Sequence, residues 1–255
     1  MSKFWAYFMV VGLVVSTSCA VSAQSAANTA PEHYENPNVN PDPNFAPGDY
    51  PKPDVEAATA EFDKQVEALA PQGDVYYVSN EEEDEITWTA VKNETASVMG
   101  FFRAFDGYVS LQNAQFAKAE LLIDVNSLDS AVPARDNRLK TIFFQSMKPE
   151  LGTARLVLDK AVEGNAAFSA LEDGAPHPLT LGGNFTLGAS TVPVQAKLEV
   201  KWDKTDEIFY VRTLEPLTLF ISDLKLDGNM PELMKECNHK SVGNAIKITC
   251  KLRFE

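Results

Sequence analysis

Few residues in this chain of 255 have types and spacings that could do chemistry. "ECNHKS" sets Cys237 just ahead of His239, with Cys250 further along. Two thiols and an imidazole could hold a metal, but the set lacks the fourth ligand of a structural zinc site. The same cysteines form an even pair once Cys19 is removed or modified, and in an oxidising compartment such a pair is expected to be a disulfide. Cys250 falls on the apolar face of the closing stretch "AIKITCKLRFE", and Cys237 in the loop "MPELMKECNHKSVGN" before it. A Cys237–Cys250 bond pins that loop to the domain and stabilises it by about 3 kcal/mol in the chain-entropy model. The alternative is two reduced thiols. The acidic run Glu81 to Glu85 is contiguous, so its carboxylates cannot all converge on one ion; it reads as a solvated turn between strands.

Catalytic signatures are missing. The sequence has no G-x-S-x-G, H-E-x-x-H, P-loop or G-x-G-x-x-G. Its three histidines are scattered. The expectation is a protein that is not an enzyme and carries no metal or cofactor. A formal charge of −14 argues against nucleic acid and against anionic membrane surfaces, since both select basic patches.

The elements that would position any site begin after two leading segments. Residues 1–23 read as a signal peptide: Lys3 precedes the apolar run Phe4 to Val15, and small residues follow. The run is too short to span a bilayer, which takes roughly 20 apolar residues, and no later stretch is apolar enough for a transmembrane span. "VSA" before Gln24 suits ordinary signal peptidase, giving a periplasmic or secreted protein. "VSTSC" resembles a loose lipobox, with Ser16 where Leu is usual, and would anchor a lipoprotein through Cys19. Residues 24–53 are dense in Pro, Asn and Asp, and are read as a disordered linker because they offer no apolar face to bury. Residues 54–70 are expected to be a helix, with Asp54 as N-cap and Val55, Phe62, Val66 and Leu69 as its apolar stripe.

From residue 74 to 255 the pattern is mostly strands. The clearest is "VQAKLEVKWD", in which Val194, Ala196, Leu198, Val200 and Trp202 share one face and Lys197, Glu199 and Lys201 the other. Eight or so strands, each apolar on one side, predict an all-β antiparallel domain that is either a barrel or a sandwich. One stretch breaks the pattern. In "SLDSAVPARDNRLKTIFF" the residues Leu139, Ile142 and Phe143 recur at helical spacing, after an Arg135-Asp136 pair and before a second phenylalanine.

That stretch resembles the signature of the YceI family: a strand ending in Ser-Ile/Leu-Asp, a turn, Arg-Asp-x-His-Leu, then Phe-Phe. "GFFRAFDG", "FTLGASTVPV" and "SVGNAIKI" resemble three further motifs of the family in the right order. Arg138 stands where the family usually has His, Gly188-Ala189 replace His-Gly, and the paired cysteines lie outside the pattern. The resemblance implies a lipocalin-like antiparallel β-barrel with a short helix across one mouth. It also implies a polyisoprenoid or similar long-chain lipid as partner, held in the lumen without catalysis. Phe102, Phe105, Phe143, Phe144, Leu139, Val194, Leu198, Trp202 and Ile248 are then the expected lumen walls. Arg135, Asp136 and Arg138 are the polar candidates at the mouth, where the pair either caps the helix or meets a headgroup. The competing reading is a filled barrel that binds no ligand and acts through its surface in the envelope. The oligomeric state is not legible.

Overall fold

The computed structural model describes residues 55–255, with side chains from Ala60 onward. The expected signal peptide with Cys19, the Pro-rich segment and the expected N-cap Asp54 lie outside the described residues.

Helix α1 (Val55–Glu67) ends a turn earlier than expected and is extended by bonds from Ala68 and Leu69 to Lys64 and Val66. Phe62 on its stripe is buried, and the helix lies against the fifth strand, β5 (Gln115–Asp124).

The other strands are β1 (Asp74–Tyr77), β2 (Glu85–Lys92), β3 (Ala96–Phe102), β4 (Phe105–Gln112), β6 (Leu128–Asp129), β7 (Thr153–Glu163), β8 (His177–Leu187), β9 (Ser190–Asp203), β10 (Ile208–Thr213), β11 (Leu217–Phe220) and β12 (Val242–Phe254). They form one antiparallel sheet in the order β1-β4-β5-β7-β8-β9-β10-β12-β2-β3-β6, with β11 beside β12. The sheet curls until its ends are tied. At one end Val78 bridges to Phe254, and Tyr77 exchanges backbone bonds with Glu255, which brings β1 to β12. At the other, a single turn of 3-10 helix leads from β5 into β6, which pairs with β3. Circular pairing of this kind leaves few backbone groups unmatched.

Strand β9 shows why the sheet curls inward. Ala196, Leu198 and Val200 are buried, Val194 and Trp202 half-buried, and Gln195, Lys197 and Lys201 exposed. Slipping the register by one residue would put Lys197 and Lys201 inside. The β8–β9 hairpin turns at Gly188, whose φ of +57° favours glycine. Gly100 serves close approach instead: a Cβ there would sit 2.6 Å from the Trp88 ring.

Two short helices cover one end. Helix α2 (Pro133–Arg138) opens with proline in its first turn and widens into a π turn over Leu139–Phe143, where Phe144 N–H donates to Leu139 O at 2.8 Å. Gln145, with φ at +51°, ends it. Helix α3 (Met230–Glu236) lies where a loop was expected. Pro231 is tolerated because it falls in the first turn, whose N–H groups have no helical partner anyway. The two covers are joined: Asn229 accepts from Gln145 Nε2 at 3.0 Å and donates to Phe143 O at 2.8 Å.

The expected disulfide is corrected: Cys237 and Cys250 are both free thiols. Cys250 lies in mid-strand opposite Ile86 of β2 and looks into the barrel. Cys237 caps α3, where its Sγ accepts from Arg138 Nη1 at 3.3 Å. Helix α3 holds the second thiol at the rim, one full element away from where a bridge to mid-strand would need it.

Candidate functional site

Because inward side chains alternate along every strand, the curled sheet encloses an apolar interior. It holds two cavities. The lower one, about 100 Å³, is walled by residues such as Phe116, Leu158, Leu198, Phe209, Cys250 and Leu252. The upper one, about 80 Å³, lies beneath α2 and is walled by Trp88, Phe102, Leu139, Phe143, Phe144 and Leu233. Ile123, Phe185 and Ile248 line both. They form a waist between the two cavities, with one above it and one below.

Of the residues expected from sequence to wall the lumen, Phe102, Leu139, Phe143 and Phe144 line the upper cavity, Leu198 the lower, and Ile248 both. Phe105 is buried in the surrounding core without reaching either cavity. Val194 and Trp202 are half-buried against the core and line neither. Trp202 packs on Phe209 instead. Phe185, Trp88 and Phe209 were missed, though the alternation in "PLTLGGNFTL" and "ITWTAVK" already placed two of them on inward faces.

The mouth residues divide by partner. Asp136 is buried and its Oδ1 accepts from both the N–H and the hydroxyl of Ser130. That closes the turn before α2, so neither a headgroup nor an ion pair with Arg135 is needed to explain its burial. Arg138 donates from Nε to Ala134 O at 2.9 Å and from Nη1 to Glu236 O at 3.1 Å, which staples α2 to the end of α3. Arg135 is different: its Nη1 is buried without a hydrogen-bond partner.

Burial sets the electrostatics of this rim. It lowers the pKa of Lys92, and the Arg135 and Arg138 guanidiniums push the same way. It lowers that of Arg135, against the pull of Asp136. His239 is held below its ordinary value by burial and by Lys92, Arg138 and Arg135. Burial pushes the Cys237 thiol up although the same cations draw it down. The Cys250 thiol, which lines the lower cavity, is pushed up to about 12 by burial.

Such a site can hold an apolar chain. Among the described residues no three His, Cys, Asp or Glu side chains are placed to hold a metal, and no helix is long and apolar enough to cross a membrane.

Residues 77–254 match the model of the YceI-like domain family. Among solved structures, a polyisoprenoid binding domain from Saccharophagus degradans implicated in plant cell wall breakdown is similar in fold. It is 17% identical, with a TM-score of 0.61 over 71% of this chain and 97% of that one. BcnA of Burkholderia cenocepacia is 14% identical, covering 69% of this chain and 98% of that one, with a TM-score of 0.49. No curated protein matches the chain.

Proposed function

Because the chain belongs to the YceI-like domain family, we propose that it is a non-catalytic lipid-binding protein of the bacterial envelope that carries a polyisoprenoid or similar long chain in its lumen. The observation that carries this reading is the pair of apolar cavities on either side of the Ile123–Phe185–Ile248 waist. Water gains nothing in a space with so few polar partners, whereas each buried methylene is worth about 0.8 kcal/mol. The fold shared with a polyisoprenoid binding domain supports the same reading. A long isoprenoid chain that uses both cavities would have to pass the waist, where Phe185 is one of the walls.

Export is part of the proposal. Cleavage after Ala23 would release the domain, and acylation of Cys19 would tether it. The intact mass of protein from its native envelope separates these outcomes. The functional test is lipid extraction of that same protein followed by mass spectrometry. A stoichiometric long-chain lipid is expected. Protein that carries none, and takes up no isoprenoid when offered, would leave the surface-acting barrel as the better account.

A further inference from the structure

The inward stripe of β2 runs Ile86, Trp88, Ala90 and then, at the rim, Lys92. Three apolar residues facing the lumen therefore end in an ammonium group. Lys92 pairs with Val242 of β12, which lines the upper cavity, so the lysine follows directly on that cavity's wall. Arg135 and Arg138 stand close enough to Lys92 to lower its pKa, and all three stand close enough to His239 to lower that of the imidazole.

This crowding is unusual in a chain with 36 acidic residues against 22 basic ones. Two cations nearby are balanced. Lys140, on the π turn, lies among Asp136, Asp124 and Asp129, and Arg103 pairs with Asp129 at 2.9 Å. At the rim the nearest carboxylate in sequence, Asp136, is turned to Ser130. Among the described residues Lys92 and Arg135 make no ion pair. A buried guanidinium N–H without an acceptor costs more than an ordinary missing hydrogen bond, because the group is charged. The Trp88 indole N–H, in the wall of the cavity below, also lacks a partner.

We infer that this rim receives the oxyanionic head of a single-chain lipid, a carboxylate or phosphate monoester, with Lys92 and Arg135 as its cationic contacts and His239 beside them. The inference rests on the lipid-binding reading above and adds the charge of the head. An oxyanion there would supply the acceptor Arg135 lacks and relieve the repulsion among three cations. Its apolar chain would continue along Trp88 into the upper cavity. Arg138 is already committed to holding α2 against α3, so it shapes the rim more than it contacts the head.

The test compares two probes of equal chain length, dodecyl phosphate and dodecanol, on the delipidated full-length protein, with inorganic phosphate as a third arm. Dodecyl phosphate is expected to bind at least about tenfold tighter than dodecanol, the size of one charge-assisted contact. That ratio should fall toward one in Lys92→Met and Arg135→Gln and return in Lys92→Arg, which excludes misfolding as the cause. Equal affinity for the two alkyl probes would overturn the inference while leaving lumen binding intact. Failure of both alkyl probes would overturn it together with the lipid reading. Inorganic phosphate binding as tightly as dodecyl phosphate would make the rim a free-anion site and overturn the lipid head.

Discussion

The Trp202 indole stacks on the Phe209 ring, with centroids 4.2 Å apart and planes 27° from parallel. Tyr76 meets both rings edge-on, at 5.7 and 4.7 Å. Strand β9 begins near the upper cavity, where Ser190 Oγ donates to Leu224 O, and carries Trp202 one residue before its other end. The stack therefore stoppers the barrel at the end away from α2. Phe209 is only 1% exposed. Phe209→Ala is expected to cost about 3–5 kcal/mol of stability, and Trp202→Ala less, because the indole is half-exposed. Urea unfolding of the two variants measures the difference.

The waist makes chain length the informative variable. In a series of straight-chain alcohols, affinity should rise by about 0.8 kcal/mol per methylene until the upper cavity is full, then level off. Phe185→Ala removes the largest side chain of the waist, so the plateau should move to longer chains at some cost in stability. Calorimetric titration across the series reads both slope and plateau. A variant whose plateau stays in place would show that the lower cavity is never used.

Asp136 links pH to the mouth. Burial raises its pKa above the ordinary aspartate value of 3.8, against the two bonds from Ser130, and burial does the same for Asp124. In the window between 3.8 and these raised values, the folded state binds more protons than the unfolded state. Stability contributed by these two groups therefore rises as pH falls through that window. Glu120 and Asp129 are shifted the other way, to lower pKa, and their contribution is lost only at more acid pH. Asp136→Asn keeps an acceptor for Ser130 and should flatten the mildly acid part of the profile. Asp136→Ala strands a buried N–H and hydroxyl, at about 1–3 kcal/mol for each. Denaturation midpoints between mildly acid and neutral pH check both.

The thiols give a chemical check. With its pKa pushed up to about 12 and its place in the wall of the lower cavity, Cys250 should resist alkylation in the folded protein and react only after unfolding. Cys237, half-buried at the rim, should react slowly in the folded state. Mass spectrometry after iodoacetamide treatment should show this order. Bound lipid should protect Cys250 further during partial unfolding.

Much of this architecture was readable from the residues. The alternation in "VQAKLEVKWD" set which side of β9 faces in, because a period of two is local. The helical spacing of Leu139, Ile142 and Phe143 found the mouth helix but not its widening into a π turn, since both geometries place those residues on one face. Helix α3 escaped notice because seven residues with a proline leave too short a period to detect. The cysteine pairing failed for a related reason. Cysteine counting assumes a flexible loop, whereas α3 fixes Cys237 against Arg138. The alternation in "EITWTAVK" already put Lys92 on the face of Trp88. What the sequence lacked was the β2–β12 register and the α2–α3 contact, which bring Arg135 and His239, far apart in the chain, to that same rim.

The bonds from Asn229 to Gln145 and Phe143, together with those from Arg138 to Glu236 and Cys237, make α2 and α3 a single latch over the upper cavity. Neither helix can lift without breaking its ties to the other. For the lipid proposed above, release past these helices would then proceed at the pace of a concerted opening and not at the pace set by its own solubility. Residence time and affinity would become separate quantities, the one set by the latch and the other by the lumen walls.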